Sequence, residues 1–148
     1  MIHQDFTQLV GSWRLLSFGI TFSDTEERIE PYGSNPDAYM VLSQSGRITF
    51  LFGTRDRQPP QSDTDAAALF NDLFAYTGMI RLDVPASFIT TVDYACAPAW
   101  FGDPLRHFTL TGNKLVIQSP EQTIPAYGAR IVVGDLVWQR EHASAYVG

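Results

Sequence analysis

Apolar and polar residues alternate in short segments along most of the chain. A period of two residues is typical of β-strands that bury one face. Turn-forming residues separate these segments at regular distances, as expected of an antiparallel barrel or sandwich. The pattern predicts eight strands, at about residues 11–22, 38–42, 47–52, 76–82, 87–95, 105–110, 114–118 and 129–140.

One segment has the period of an α-helix instead. Its apolar residues recur at intervals of three and four positions, which places them in a single stripe. They are Ala66, Leu69, Phe70, Leu73 and Phe74. Ser62 is a suitable N-cap, and Asp65 is at the capping-box position. We therefore predict a helix over about residues 62–74, packed against the barrel or its open end.

The connections between the predicted strands alternate in length. Short turns follow the second, fourth and sixth strands, and longer segments follow the first, third, fifth and seventh. In an up-and-down meander, successive connections lie at opposite ends of the sheet. The pattern thus predicts an all-β, antiparallel, up-and-down barrel of about eight strands, with one closed end and one mouth surrounded by long loops. Barrels of this size can hold one small ligand.

The first and last strands should meet and close this barrel. Trp13 lies near the start of the first strand, and Arg140 lies at the end of the last, so both reach the closed end. An arginine over an indole ring forms a cation–π contact, and we interpret both residues as structural. Residues 5–10 are predicted to form a short turn or helix that plugs one end.

Composition restricts the classes of protein and partner. The length of 148 residues favours one domain over residues 1–148. The net charge of -6 argues against binding to nucleic acid or an anionic membrane. The start of the chain lacks the pattern of a signal peptide, and no apolar run is long enough to span a bilayer. We expect a soluble, cytoplasmic protein, and the sequence leaves a homodimer open.

No cofactor or metal site is indicated. The only cysteine is Cys96, and the three histidines His3, His107 and His142 are far apart without ligand spacing. Phosphate-binding loops and nucleophile motifs are likewise not found in the sequence. We therefore expect no bound metal and no cofactor.

Arg106 is the sharpest candidate for a functional residue. Alternation along the sixth strand places it on the same face as Phe108, which we assign to the barrel interior, near the mouth. A guanidinium there could bind a carboxylate, phenolate or enolate through two hydrogen bonds. Alternatively, Arg106 extends to water or pairs with Asp103.

Other candidates come from neighbouring segments. Tyr76 and Tyr94 could donate hydrogen bonds to a ligand, or they could be core tyrosines with satisfied hydroxyls. The interior set of the fifth strand is predicted to be Phe88, Thr90, Val92 and Tyr94. Trp100 and Phe101 could form a lid or a packing corner, and Tyr32 is similar. Phe70, Phe74 and Phe108 complete the predicted apolar wall. The second strand is apolar on both faces, so its orientation stays open.

Several segments together resemble a known family. They are 9–15, 30–33, 38–41, 45–47, 74–78, 99–102, 106–110 and 136–140. The chain resembles the lipocalin-like domain family of bacterial and fungal single-domain proteins, and the resemblance covers nearly the whole chain. It implies a lipocalin-type barrel. Since that family has no single established activity, it transfers no catalytic residues. Its members often have a histidine in the middle of the fifth strand, where this chain has Thr90 and Thr91.

Two functions of different classes follow. The first is binding of a small apolar or aromatic metabolite in the barrel interior. The alternative is a cofactorless isomerase or cyclase acting on a polyketide-like or enone substrate, with arginine and tyrosine donors stabilising an oxyanion. No general base can be identified from the sequence, and whether the protein is an enzyme stays open. A third possibility is an interior filled by its own aromatic residues, namely Phe50, Phe52, Phe88, Phe108 and Trp138.

Overall fold

The computed structural model describes residues 6–83, 86–98 and 102–142. The strands are β1 (Gly11–Phe22), β2 (Arg28–Ile29), β3 (Asp37–Leu42), β4 (Arg47–Gly53), β5 (Phe74–Asp83), β6 (Ser87–Ala95), β7 (Leu105–Thr111), β8 (Lys114–Gln118) and β9 (Val132–Arg140). The α-helix is α1 (Asp63–Asp72), and short 3-10 turns lie at Thr7–Leu9 and Pro125–Tyr127.

The strands form a closed antiparallel barrel. Apart from β2, each strand pairs with the next one in the chain, and β9 pairs with β1 to complete the cylinder. In this seam Trp13 lies opposite Arg140, and Phe22 lies opposite Val132. The two-residue β2 pairs with β1 near its end. The structure thus confirms the predicted eight-stranded, up-and-down barrel with one inserted helix.

The predicted sorting of the connections is also found. Between β3 and β4 the chain turns within residues 43–46, and between β7 and β8 within residues 112–113. The connections at 23–36, 54–73 and 119–131 are much longer. Because consecutive strands are antiparallel neighbours, the short and long connections lie at opposite ends of the barrel. The long loops therefore surround a mouth.

The closed end is sealed by Trp13 and Arg140. The Trp13 side chain is fully buried, and its Nε1 donates a hydrogen bond to the carbonyl oxygen of Leu9 at 3.0 Å. The Arg140 guanidinium lies 4.3 Å from the centre of the Trp13 ring. It also donates to the carbonyl oxygens of Val10 at 2.8 Å and Gln8 at 2.6 Å. These contacts attach the N-terminal 3-10 turn to both strands of the seam.

The helix differs from the prediction. Asp65 N donates to Ser62 Oγ at 3.0 Å, so the predicted N-cap is present. However, α1 ends at Asp72, and Leu73 has an extended backbone with ψ of 130°. None of the helix residues is buried, so the prediction of a packed apolar stripe is wrong. The sequence period runs across a helix–strand boundary, because Phe74 already belongs to β5.

The barrel interior, called the lumen below, receives alternate residues of each strand. In β3 the buried residues are Ala38, Met40 and Leu42, which settles the orientation that the sequence left open. In β4 they are Ile48, Phe50 and Phe52. The core is thus built from the inward sides of the strands.

Candidate ligand site in the barrel lumen

Aromatic side chains occupy much of the lumen. The Phe52 ring lies 5.7 Å from Trp138 and 5.2 Å from Phe74, measured between ring centres. Phe50 lies 5.0 Å from Tyr76 and 5.9 Å from Trp138. Of the residues predicted to fill the interior, Phe50, Phe52, Phe88 and Trp138 are buried, and Phe108 is half-buried.

The inward side chains of β7 are less buried than those of its neighbour β8. Phe108 lies opposite Ile117, and Leu110 lies opposite Leu115, so both face inward. Both are nevertheless only half-buried, whereas Ile117 and Leu115 are almost fully buried. Solvent therefore reaches part of these two side chains, and the inner face of β7 is called the accessible side below.

Arg106 lies on this accessible side. It is the register partner of Phe88, whose side chain is buried in the core, so the two share the inner face. Arg106 is half-buried, and its Nη1 donates to the carbonyl oxygen of Leu105 at 2.8 Å. Within the described residues no carboxylate, Asp103 included, forms an ion pair with it.

Tyr76 is the second polar group of the lumen. Its side chain is only 7% exposed, and burial raises the pKa of its hydroxyl to about 12. The positive charge of Arg106 opposes this rise, because a cation favours the ionised form of a tyrosine. At neutral pH, Tyr76 is therefore protonated and can donate a hydrogen bond.

Tyr94 does not belong to the lumen, so its predicted orientation is wrong. Its side chain is 72% exposed on the outer face of β6. The reason is a β-bulge: Thr77 pairs with Tyr94 and Gly78 pairs with Val92, which leaves Asp93 as an extra residue. A bulge shifts the alternation by one position. Val92 thus faces inward as predicted, and Tyr94 faces outward.

Of the remaining predicted site residues, some face the lumen and others do not. Phe74 faces the lumen from β5, with its ring 5.4 Å from Tyr76, and Phe108 lines the accessible side. Phe70 is 54% exposed on the surface of α1, and the structure does not bring it into the lumen. Trp100, like Phe101, lies outside the described residues.

Thr90 was predicted to lie on the inner face, without a functional role. Thr90 is 0% exposed and lies opposite Ile80. Its Oγ1 has no hydrogen-bond partner among the residues that the structure describes. Trp138 Nε1 is also buried without a hydrogen-bond partner among these residues. The only signal in the sequence was a hydroxyl side chain at an otherwise apolar set of inward positions.

Tyr32 brings the long loops together at the mouth. Its ring lies 6.2 Å from that of Phe52. Burial raises the pKa of its hydroxyl, and Asp72, Cys96 and Tyr127 add to this rise. These three residues come from three different connections, so Tyr32 lies where these loops converge.

Comparison with known proteins agrees with this architecture. The family profile of the lipocalin-like domain matches residues 10–141 of the 148-residue chain. The chain belongs to the lipocalin-like domain family. A search of curated proteins found no match. The lipocalin-like barrel suggests ligand binding in general.

This lipocalin-like domain also has a cleft outside its barrel. The cleft has a volume of about 300 Å³ and lies between α1 and residues 54–59. Both of its carboxylates are engaged: Asp72 pairs with Arg57 at 3.6 Å, and Asp65 accepts from the Gln61 backbone at 3.1 Å. The cleft contains none of the predicted site residues, so the lumen is the better candidate.

Two further observations concern the described part of the lipocalin-like domain. It contains no group of three or more histidine, cysteine, aspartate or glutamate side chains placed to hold a metal ion. It also contains no helix with the length and apolar character needed to cross a membrane.

Proposed function

We propose that this lipocalin-like domain binds a small apolar or aromatic molecule in its lumen and holds an acidic group of that molecule with Arg106. The observation that supports the proposal is the position of Arg106 on the inner face of β7, without an ion pair to any described carboxylate. A largely apolar pocket with a few polar groups is typical of small-molecule sites. Here the aromatic walls would hold the body of the ligand.

The energetics of Arg106 favour an anionic ligand. A charge that is partly removed from water loses solvation, and pairing with an opposite charge offsets this loss. The guanidinium can form two parallel hydrogen bonds to a carboxylate. The protonated Tyr76 hydroxyl, on which the charge of Arg106 acts, can supply another donor. Both groups would therefore favour an acid over a neutral molecule.

The same groups make binding a better proposal than acid–base catalysis. A tyrosine whose pKa is about 12 is a poor base at neutral pH. No described carboxylate or histidine shares the inner face of the strands, since His107 and Asp93 are exposed on the outside. The inward polar groups can thus orient an acidic ligand, but none of them is suited to accept a proton from it.

Calorimetry with a matched pair of ligands tests the proposal. We expect 2-naphthoic acid to bind more tightly than 2-naphthamide, which has nearly the same shape without the charge. A hydrogen bond to a charged group contributes about 1.5–3 kcal/mol, so Arg106→Met should weaken binding of the acid by about tenfold or more. The amide should be much less affected.

The control is Arg81→Met. Arg81 is an exposed arginine of β5 that donates to Thr91 Oγ1 at 3.4 Å on the outside of the barrel. This variant should retain the preference for the acid. An Arg106→Met protein that binds 2-naphthoic acid as tightly as the parent would refute the proposed role of Arg106. A parent protein that binds neither compound would refute the proposed function.

A further inference from the structure

The Thr90 hydroxyl is a polar group without a structural task in the described part of the protein. It is 0% exposed, and its Oγ1 has no partner there. The residues around it on the inner face are apolar: Phe88 and Val92 flank it in β6, and Ile80 lies opposite in β5. An unsatisfied buried hydroxyl destabilises a protein, and such groups are rare in native structures. A valine would fill the same space without this cost.

Register places Thr90 beside the proposed anion site. Phe88 pairs with Arg106, and Thr90 is the next inward residue of β6. The Thr90 backbone N–H donates to the carbonyl oxygen of Pro104 at 3.1 Å, so Thr90 and Arg106 are diagonal neighbours across the β6–β7 pair. Diagonal neighbours are about 7–8 Å apart, within reach of a long side chain. One small ligand can therefore contact both residues.

We propose that the Thr90 hydroxyl binds a neutral oxygen of the ligand, adjacent to the acidic group held by Arg106. The ligand class is then an apolar or aromatic acid with a second oxygen close to the acid, such as a hydroxy acid or a keto acid. This inference rests on the proposed function. In the free protein the Thr90 side chain is fully buried. Binding of the ligand oxygen therefore requires the side chains that cover Thr90 to move.

The test compares two acids that differ by one hydroxyl group, 3-hydroxy-2-naphthoic acid and 2-naphthoic acid. Both carry the carboxylate for Arg106, so the change that Thr90→Val makes in the ratio of their dissociation constants isolates the contact between Thr90 and the second oxygen. A neutral hydrogen bond contributes about 0.5–1.5 kcal/mol, which corresponds to a preference of roughly threefold to tenfold for the hydroxy acid. Thr90→Val should reduce this ratio to below about twofold, with little change for 2-naphthoic acid.

Thr91→Val is the matched control, because Thr91 is the exposed neighbour on the outside of the same strand. It should retain the parent's ratio. The free protein supplies a second readout. Because the Thr90 hydroxyl has no partner to lose among the residues that the structure describes, Thr90→Val should leave the thermal midpoint unchanged or raise it.

The outcomes separate the two proposals. If the parent binds both acids equally, or if Thr90→Val keeps the preference, the inference about Thr90 is wrong and the proposed function stands. If Thr90→Val lowers the thermal midpoint of the free protein without changing the preference, the hydroxyl is structural and the inference is also wrong. Binding of neither acid overturns both proposals.

Discussion

Truncation of Trp13 tests the assembly of the barrel at its closed end. The side chain is fully buried in the seam between β1 and β9. Truncation of a buried tryptophan to alanine costs about 3–5 kcal/mol. In this protein the change also removes the donor for the Leu9 carbonyl oxygen and the ring beneath the Arg140 guanidinium. We therefore expect the loss in free energy of unfolding caused by Trp13→Ala to lie at the upper end of this range.

Arg140→Met should lower the free energy of unfolding by less than Trp13→Ala does. Arg140 is only half-buried, so water can replace some of the hydrogen bonds that its guanidinium donates. The loss comprises two charged hydrogen bonds to backbone carbonyl oxygens and one cation–π contact. The cation–π contact contributes about 0.5–1 kcal/mol, and with the hydrogen bonds we expect a total of about 1–3 kcal/mol.

Urea denaturation followed by far-ultraviolet circular dichroism measures both effects without relying on tryptophan fluorescence. The slope with urea should stay the same, so that the midpoints report stability. Leu51→Ala is the control, because Leu51 is exposed on the outside of β4 and should change stability by less than about 0.5 kcal/mol. The double variant of Trp13 and Arg140 should show a coupling of about 0.5–1 kcal/mol.

A Trp13→Ala protein with the parent's midpoint would refute this account of the seam. Additive effects in the double variant, within about 0.3 kcal/mol, would refute the contact between the indole and the guanidinium while leaving burial of Trp13 intact.

Two further predictions concern the helix and alkaline pH. Ser62→Ala removes the N-cap, which contributes about 0.5–2 kcal/mol to a helix. Because α1 buries no residue, hydrogen exchange should accelerate within Asp63–Asp72 while the global urea midpoint stays nearly constant. A large fall of that midpoint would contradict the exposed position of the helix. The folded-state pKa of Tyr76 is about 12, above its ordinary value of 10.0. The contribution of the protonated Tyr76 to the free energy of unfolding is therefore complete below pH 10 and is lost as pH rises toward 12. Two pKa units correspond to about 2.7 kcal/mol. In urea titrations, Tyr76→Phe should therefore lose less stability than the parent between pH 9 and about 11.5. Equal losses would indicate that Tyr76 ionises in the folded barrel as it does in the unfolded chain.

Much of the architecture could be read from the sequence because it depends on local patterns. Alternation with a period of two marks strands, since successive side chains point to opposite faces. The lengths of the connections then decide which end is open. The seal between Trp13 and Arg140 followed from the same reasoning, because the first and last strands of a meander must meet. The inward position of Arg106 relative to Phe108 also depended only on alternation within one strand.

The tertiary structure decided the features that depend on partners from distant segments. Tyr94 turned outward because a bulge at Asp93 shifted the alternation, and a bulge is set by how two strands pair. Phe74 left the helical stripe because pairing with Phe52 in β4 places it in β5.

Thr90 shows the same dependence most clearly. Its sequence neighbours indicate only an inward position, and that much was predicted. Whether its hydroxyl finds a partner depends on the side chains that β5 and β7 bring to the same place. Ile80 lies opposite Thr90 and Arg106 is its diagonal neighbour, and neither residue type has a side-chain hydrogen-bond acceptor. The sequence by itself therefore determined the barrel, and only the assembled strands determined which buried polar groups have no hydrogen-bond partner among the described residues.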